Sequence, residues 1–301
     1  MESDIKNIDR NMSDNITDAV EGVKWLKPYE DPLRLSGFQY FSIDKIYRRL
    51  PLSKKDLFAK VNNNLNILSE DTAGGQVAFR TNSSKILIRA KNKIGHDMVN
   101  MAASGQNGFD LYLGQNGERL KFYGITKFDI KNKEYECEMV ANLLNDQIRE
   151  VLLNFPLYDG VEYVEIGVDP DAQVLPPKPF AAPGKIVFYG TSITQGGCAT
   201  RPGMAYTNIL SRWLNREVIN LGFSANGLGE IEMAELIADI EDASMVVLDY
   251  EANAATTGRL EASLSSFIDT IRKKHPDIPI LVISRIQFLA DFYDEELMKR
   301  R

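Results

Sequence analysis

Histidine and cysteine are both scarce in this sequence: His96 and His275, and Cys137 and Cys198, are all that its 301 residues contain. Two cysteines in different halves of the chain exclude a disulfide framework and a cysteine-based zinc site. No run approaches the roughly 18 apolar residues of a membrane span. The polar, acidic start MESDIKNIDRNMSDNITDAVEG lacks the basic and apolar regions of a signal peptide. These absences imply a cytoplasmic protein without a membrane partner, in which Asn15-Ile16-Thr17 matches a glycosylation sequon by chance. Basic clusters are missing too. With 35 Lys and Arg against 42 Asp and Glu, the net charge is −7, so nucleic acid is not an expected partner. Nothing in the sequence bears on oligomeric state.

What is present is globular in composition, 44% apolar and 26% charged, and long enough for two cores. Residues 1–25 read as a mobile leader. From 26 to 169 the period is that of strands. Val77, Phe79 and Thr81 alternate with polar neighbours before Asn82-Ser83-Ser84 leads into Ile86 and Ile88, which reads as a hairpin. A second hairpin runs from Leu111 and Leu113 through Gln115-Asn116-Gly117 to Leu120 and Phe122, with Asn-Gly suited to positive φ. A third runs from Val151-Leu152-Leu153 through Tyr158-Asp159-Gly160 to Val161–Val164. Strands at such intervals predict a jelly-roll-like β-sandwich with only short helical stretches, such as Lys54 to Ala59. Five prolines between 170 and 183 make residues 170–184 an extended linker that cannot enter a helix or a central strand.

From 185 to 301 the period changes. Apolar strands at Lys185–Tyr189, Val218–Leu221, Met245–Leu248 and Ile280–Ile283 alternate with helices over Met204–Leu214, Ile231–Ile240 and Leu260–Lys274. Wholly apolar strands separated by helices predict a three-layer α/β domain whose parallel sheet is covered on both faces. Ligands in such a sheet meet the loops at the carboxyl ends of the strands.

Three of those loops are polar. The first strand runs into Gly190-Thr191-Ser192-Ile193-Thr194-Gln195-Gly196-Gly197, where a serine at a tight turn entering a helix has the exposure a nucleophile needs. An ordinary serine in a glycine-rich turn fits the tripeptide equally. The spacing matches neither the P-loop nor the dinucleotide fingerprint. Asn220–Gly227 follows the second strand and Asp249–Ala254 the third. Singly they are turn chemistry; together they bring Ser192, the Ser224-Ala225 amides and Asn253 to one edge of one sheet, as an oxyanion hole requires.

FYGTSITQGG resembles the first block of the SGNH (GDSL-like) hydrolases, with Thr191 in place of the usual Asp, and NLGFSANG resembles the second. The third block departs, since Asn253 in VLDYEANA lacks the usual Gly-x-Asn-Asp. The spacings follow the family order, 33 residues from Ser192 to Ala225 and 28 from there to Asn253. GTSITQGGCATRPGMAYTNIL, together with YRRLPLS, AFRTNSSKILIRA and GFDLYLG, resembles the esterase subgroup with its own β-rich N-terminal domain. The resemblance implies a flavodoxin-like SGNH domain after a β-sandwich. It also implies Ser192 attacking an ester, and an oxyanion held by the Ser192 and Ala225 backbone N–H groups and the Asn253 side chain. No metal and no organic cofactor is implied. The substrate by analogy is a small acyl ester, such as an acetyl ester of a carbohydrate. Alanine at 225 replaces a common glycine and keeps its N–H in place only if the loop does not require φ > 0.

The base is missing. The family places it in an Asp-x-x-His motif near the C-terminus, and this sequence has none. His275 belongs to the amino edge of the sheet, opposite Ser192, and His96 to a surface loop. A further strand and closing helix are absent as well, which would leave strand four with an exposed apolar edge. The sequence therefore reads as a C-terminally truncated esterase with impaired turnover, or as a non-catalytic glycan-binding or remnant protein. Other residues have plainer readings. Arg285 pairs with a carboxylate, Cys198 is small and buried, and Phe122 belongs to the core. Asp249 and Glu251 lack the facing separation of a glycosidase pair.

Overall fold

The structure is a computed structural model and describes residues 22–95, 97–115, 117–144 and 147–299. The leader's first 21 residues, Asn116 of the second hairpin turn and His96 lie outside these. No helix among the described residues is long and apolar enough to cross a membrane.

The N-terminal part comprises strands β1 (Lys24–Leu26), β2 (Arg34–Ser36), β3 (Gln76–Thr81), β4 (Ile86–Asn92), β5 (Asp110–Gln115), β6 (Lys121–Ile125), β7 (Glu134–Val140), β8 (Arg149–Asn154), β9 (Val161–Val168) and β10 (Val174–Leu175). They form two antiparallel sheets, β1-β9-β4-β7 and β10-β3-β8-β5-β6, with β2 also pairing with β3. Their facing sides supply one core: Val77, Phe79, Leu111, Val151 and Leu153 from one sheet, Ile86, Ile88, Cys137, Val164 and Ile166 from the other. At about 1.5–3 kcal/mol per fully buried aliphatic side chain, this core is what orders the sandwich.

Two of the three expected hairpins are not hairpins. Only β5 and β6 pair across their turn, with Gly117 at φ 84°. β3 and β4 lie in opposite sheets, as do β8 and β9, so both connections are arches across the core. Within the proline-rich segment, Val174–Leu175 joins the edge of a sheet against β3, a position proline tolerates.

The helix expected to be short at Lys54–Ala59 is instead α1, Lys55–Leu68, broken at Asn62 (φ −160°, ψ 99°). It does not cap the sandwich. Phe58 and Leu65, with Leu50, are fully buried in the core of the following α/β unit.

That unit contains β11 (Lys185–Gly190), α2 (Ser192–Gln195), α3 (Tyr206–Leu214), β12 (Glu217–Gly222), α4 (Ile231–Ala238), β13 (Ala243–Asp249), α5 (Glu251–Ala254), α6 (Arg259–Lys274) and β14 (Ile280–Val282). The strands are parallel in the flavodoxin-like order β12-β11-β13-β14. α4, α6 and the N-terminal α1 cover one face, over Val187, Tyr189, Ile219, Leu221, Val246 and Leu248. α3 covers the other through Tyr206 and Leu210 against Ile186, Phe188, Val218 and Val247. The opposite side of α3 meets the sandwich, where the Arg212 guanidinium lies 4.0 Å over the Tyr112 ring. Among the described residues β14 pairs only with β13, and Leu281 and Val282 are each 46% exposed.

Candidate active site

The first loop begins where β11 ends. Thr191 is the N-cap of α2, and its hydroxyl accepts the Ile193 N–H at 3.2 Å. A capping side chain needs an acceptor oxygen close to the backbone, which Thr supplies from Cβ as Asp would from Cγ. Ser192 is therefore the first helical residue, half-buried, and its carbonyl accepts the Gly196 and Gly197 N–H groups at 2.9 and 2.7 Å. A Cβ at Gly197 would stand 2.8 Å from the Tyr158 hydroxyl and 3.4 Å from Ser192 Cβ. The sandwich thus reaches the serine turn through Tyr158, on the arch between β8 and β9. Burial pushes the Tyr158 phenol up, and the adjacent Ser224 hydroxyl partly offsets this.

The second loop is tied to the first. Phe223 N–H donates to Gly190 O at 3.0 Å, and Asn226 N–H to Phe223 O at 3.0 Å, closing a tight turn. Ala225 occupies that turn at φ 53°, exposed, and among the described residues its N–H has no hydrogen-bond partner. The loop does require the left-handed region, which corrects the expectation that alanine could serve only where φ is negative: Ala225 adopts it against its preference, and its N–H stays on the turn. The Ser224 N–H is already taken, donating to Gln195 Oε1 at 2.9 Å. Of the Ser224-Ala225 amide pair, only the Ala225 N–H is therefore free.

The third loop joins through Asn253, half-buried on α5, whose Nδ2 donates to Asn226 O at 2.8 Å. Ser192, Ala225 and Asn253 thus lie on three mutually bonded loops at the carboxyl edge, where Gly190 pairs with both Gly222 and Asp249. Asp249 accepts from Thr194 Oγ1 at 2.9 Å and Tyr206 OH at 2.7 Å, while Glu251 accepts the Arg285 N–H at 3.1 Å. Both carboxylates are occupied in holding the loops.

Several residues stand where their types suggested, and others do not. Arg285 makes a bidentate pair with Asp291 at 2.7 and 2.9 Å. His275 ends α6, its Nε2 3.0 Å from Ala238 O, at the amino edge of the sheet. Cys198 is exposed rather than buried, at φ 62° in the loop after α2. Phe122 is 45% exposed, not a core residue; it lies on the outer side of its sheet beneath the Arg201 guanidinium, 3.9 Å away.

The sequence reading missed the residues behind the loops. Gln195, fully buried, donates from Nε2 to Asp71 Oδ2 at 2.8 Å and to Leu157 O at 3.1 Å, both in the N-terminal part. Burial pushes Asp71 up to about 7 despite the opposing Arg49 charge and the Gln195 hydrogen bond. Arg49, also buried, donates to Asp71 O at 3.0 Å and to Gly222 O, with its guanidinium 4.6 Å over Phe223. Burial lowers its own pKa to about 10, so it stays a cation at neutral pH. Asn62, at the break in α1, donates to Asn226 Oδ1 at 3.0 Å. Arg49 in YRRLPLS and Gln195 in TSITQGG lay within motifs already singled out, but the bonds that join the two parts, Arg49 to Gly222 and Gln195 to Asp71, each link residues more than 100 positions apart.

Two family models match this sequence: the N-terminus of Esterase_SGNH_hydro-type over residues 23–174, and the GDSL-like Lipase/Acylhydrolase family over 184–301. A Bacteroides ovatus protein solved as a GDSL-like lipase is 32% identical, with a TM-score of 0.82 over 92% of this chain and 79% of that one. The salicylyl-acyltransferase SsfX3 of a tetracycline biosynthetic pathway is 20% identical, with a TM-score of 0.64 over 93% and 81%. A family two carbohydrate esterase from Cellvibrio japonicus is 11% identical, with a TM-score of 0.53 over 92% and 83%. These last two likenesses are of fold alone. No curated protein matches.

Proposed function

Since the chain belongs to the GDSL-like lipase/acylhydrolase family and carries the N-terminal domain of its SGNH-type esterases, we propose that it is a carboxylic ester hydrolase with Ser192 as nucleophile. The Ser192 hydroxyl attacks the ester carbonyl, the alcohol leaves, and water releases the acyl group from the serine ester. Negative charge on the carbonyl oxygen is taken by the Ser192 and Ala225 N–H groups and the Asn253 side-chain amide. One donor of this kind typically contributes about 2.7–4 kcal/mol to the transition state. The observation that carries this reading is the free Ala225 N–H on a loop bonded to both the serine turn and Asn253. We assign small acyl esters of carbohydrates as the substrate class. That assignment rests on the sandwich-plus-SGNH architecture shared with carbohydrate esterases, an argument by analogy.

One observation favours a second reading. Among the described residues no histidine stands at the carboxyl edge beside Ser192. The 301-residue chain is therefore expected to turn over slowly, and a non-catalytic glycan-binding protein is the alternative. A fluorophosphonate probe decides between them. Labelling of Ser192 that disappears in Ser192→Ala supports the hydrolase; retention on immobilised glycan without labelling supports the binder. Rapid Ser192-dependent hydrolysis of an aryl acetate would overturn the expected impairment.

A further inference from the structure

The second loop is held from both sides: beside its bonds to Gly190 and Asn253 of the α/β unit, it is gripped by residues that precede that unit. Arg49 donates to the carbonyls of Gly222 and, at 3.5 Å, Asn220. Asn62 bonds the Asn226 side chain, and Tyr158 lies against the Ser224 hydroxyl. Within the α/β unit the Ser224 N–H is taken by Gln195, and Gln195 is oriented from outside.

A glutamine amide can be turned by half a rotation at little intrinsic cost, exchanging acceptor for donor. Here the choice is made by two acceptors, Asp71 Oδ2 and Leu157 O, which take up its N–H groups and leave Oε1 facing the Ser224 N–H. With the amide reversed, its NH2 would confront that N–H donor to donor, and the Phe223–Ser224 peptide would have to rotate. The same turn carries Ala225, so its N–H would move with it.

We propose that the N-terminal domain is a built-in positioning element for the second loop, with Asp71 as the residue that fixes the Gln195 amide and thereby the direction of the Ala225 N–H. Asp71 touches no reacting atom; it is a positioning residue. The proposal rests on the reading of Ser192 and Ala225 as an acyl-transfer site. On this view the sandwich completes the site rather than serving only as an attached module.

The test uses the full chain with Asp71→Ala and Asp71→Asn, the latter keeping an acceptor oxygen. Two quantities are measured: the rate of Ser192 labelling by a fluorophosphonate, and amide hydrogen exchange across residues 222–227. Asp71→Ala is expected to slow labelling about ten- to hundredfold, the scale of small displacements in a reacting geometry. Exchange in the loop rises, while Asp71→Asn recovers most of the native rate. Should the alanine variant not fold, Asp71→Leu removes the acceptor while filling the space.

Native-rate labelling in Asp71→Ala or Asp71→Leu overturns the proposal, as does an asparagine variant as slow as either. If the native chain is not labelled at Ser192, the acyl-transfer reading fails separately. Exchange then decides: an unchanged loop in Asp71→Ala overturns the positioning role, and a loosened loop restored by asparagine sustains it.

Discussion

Ala225 carries backbone strain at the place where an N–H donor is wanted. A left-handed conformation costs a non-glycine residue roughly 1–2 kcal/mol, partly offset in a glycine variant by greater freedom when unfolded. Ala225→Gly is expected to raise stability by about 0.5–1 kcal/mol, read as a higher denaturant midpoint at unchanged slope. An unchanged or lower midpoint would mean that the turn does not hold Ala225 at positive φ. Asp71 gives a second residue-scale test. Its neighbours are Arg49, Gln195, Asp159 and Tyr158, and burial wins, raising it to about 7. The folded chain then keeps a proton that the unfolded chain has lost above about pH 4, so stability falls as pH climbs from there to 7. Asp71→Asn lacks this slope. Native stability relative to that variant is expected to decline by a few kcal/mol at most across the window. A flat difference would show Asp71 ionised throughout, held by Arg49. At this scale the turn that carries Ser192 was legible, because an apolar strand running into a Gly-x-Ser turn is a local signal. Gln195 was not, because an amide's role is set by acceptors supplied from elsewhere.

Among the elements, α1 departs furthest from its sequence appearance. Its break at Asn62 directs one amide to Asn226, while Phe58 and Leu65 enter a core that belongs to a later part of the chain. Leu65→Ala is expected to cost about 2–5 kcal/mol, read from denaturant unfolding, because Leu65 is fully buried there. A loss below 1 kcal/mol would place α1 outside that core. The strands show why two arches resembled hairpins. Strand alternation reports which residues face a core, and in a sandwich both sheets face the same one. β3 and β4 therefore have the same pattern whether they pair or cross. Only Gln115-Asn116-Gly117 carried turn chemistry specific enough to mark a true hairpin.

In the whole molecule, the sandwich and the α/β unit share structure at several points: α1 in the second core, Asp71 on Gln195, and Asp110, whose carboxylate accepts the Gly203 N–H at 2.7 Å. Removing either part would expose apolar surface and strand buried polar groups, so we expect one cooperative unfolding transition. Trp25 lies in β1 and Trp213 in α3, which allows each part to be followed separately in Trp25→Phe and Trp213→Phe variants. Coincident midpoints are expected; midpoints well apart would show independent folding. Periodicity and turn residues alone determined the change from antiparallel to parallel strands near residue 185, the apolar core faces, and the gathering of Ser192, Ala225 and Asn253 at one sheet edge, since each follows from local backbone preference and strand direction. Which strands share a sheet, which amide of the second loop stays free, and that the N-terminal part grips that loop were decided only by tertiary structure. Those outcomes depend on which distant surfaces meet and on which buried donors find acceptors there, and no local pattern encodes that.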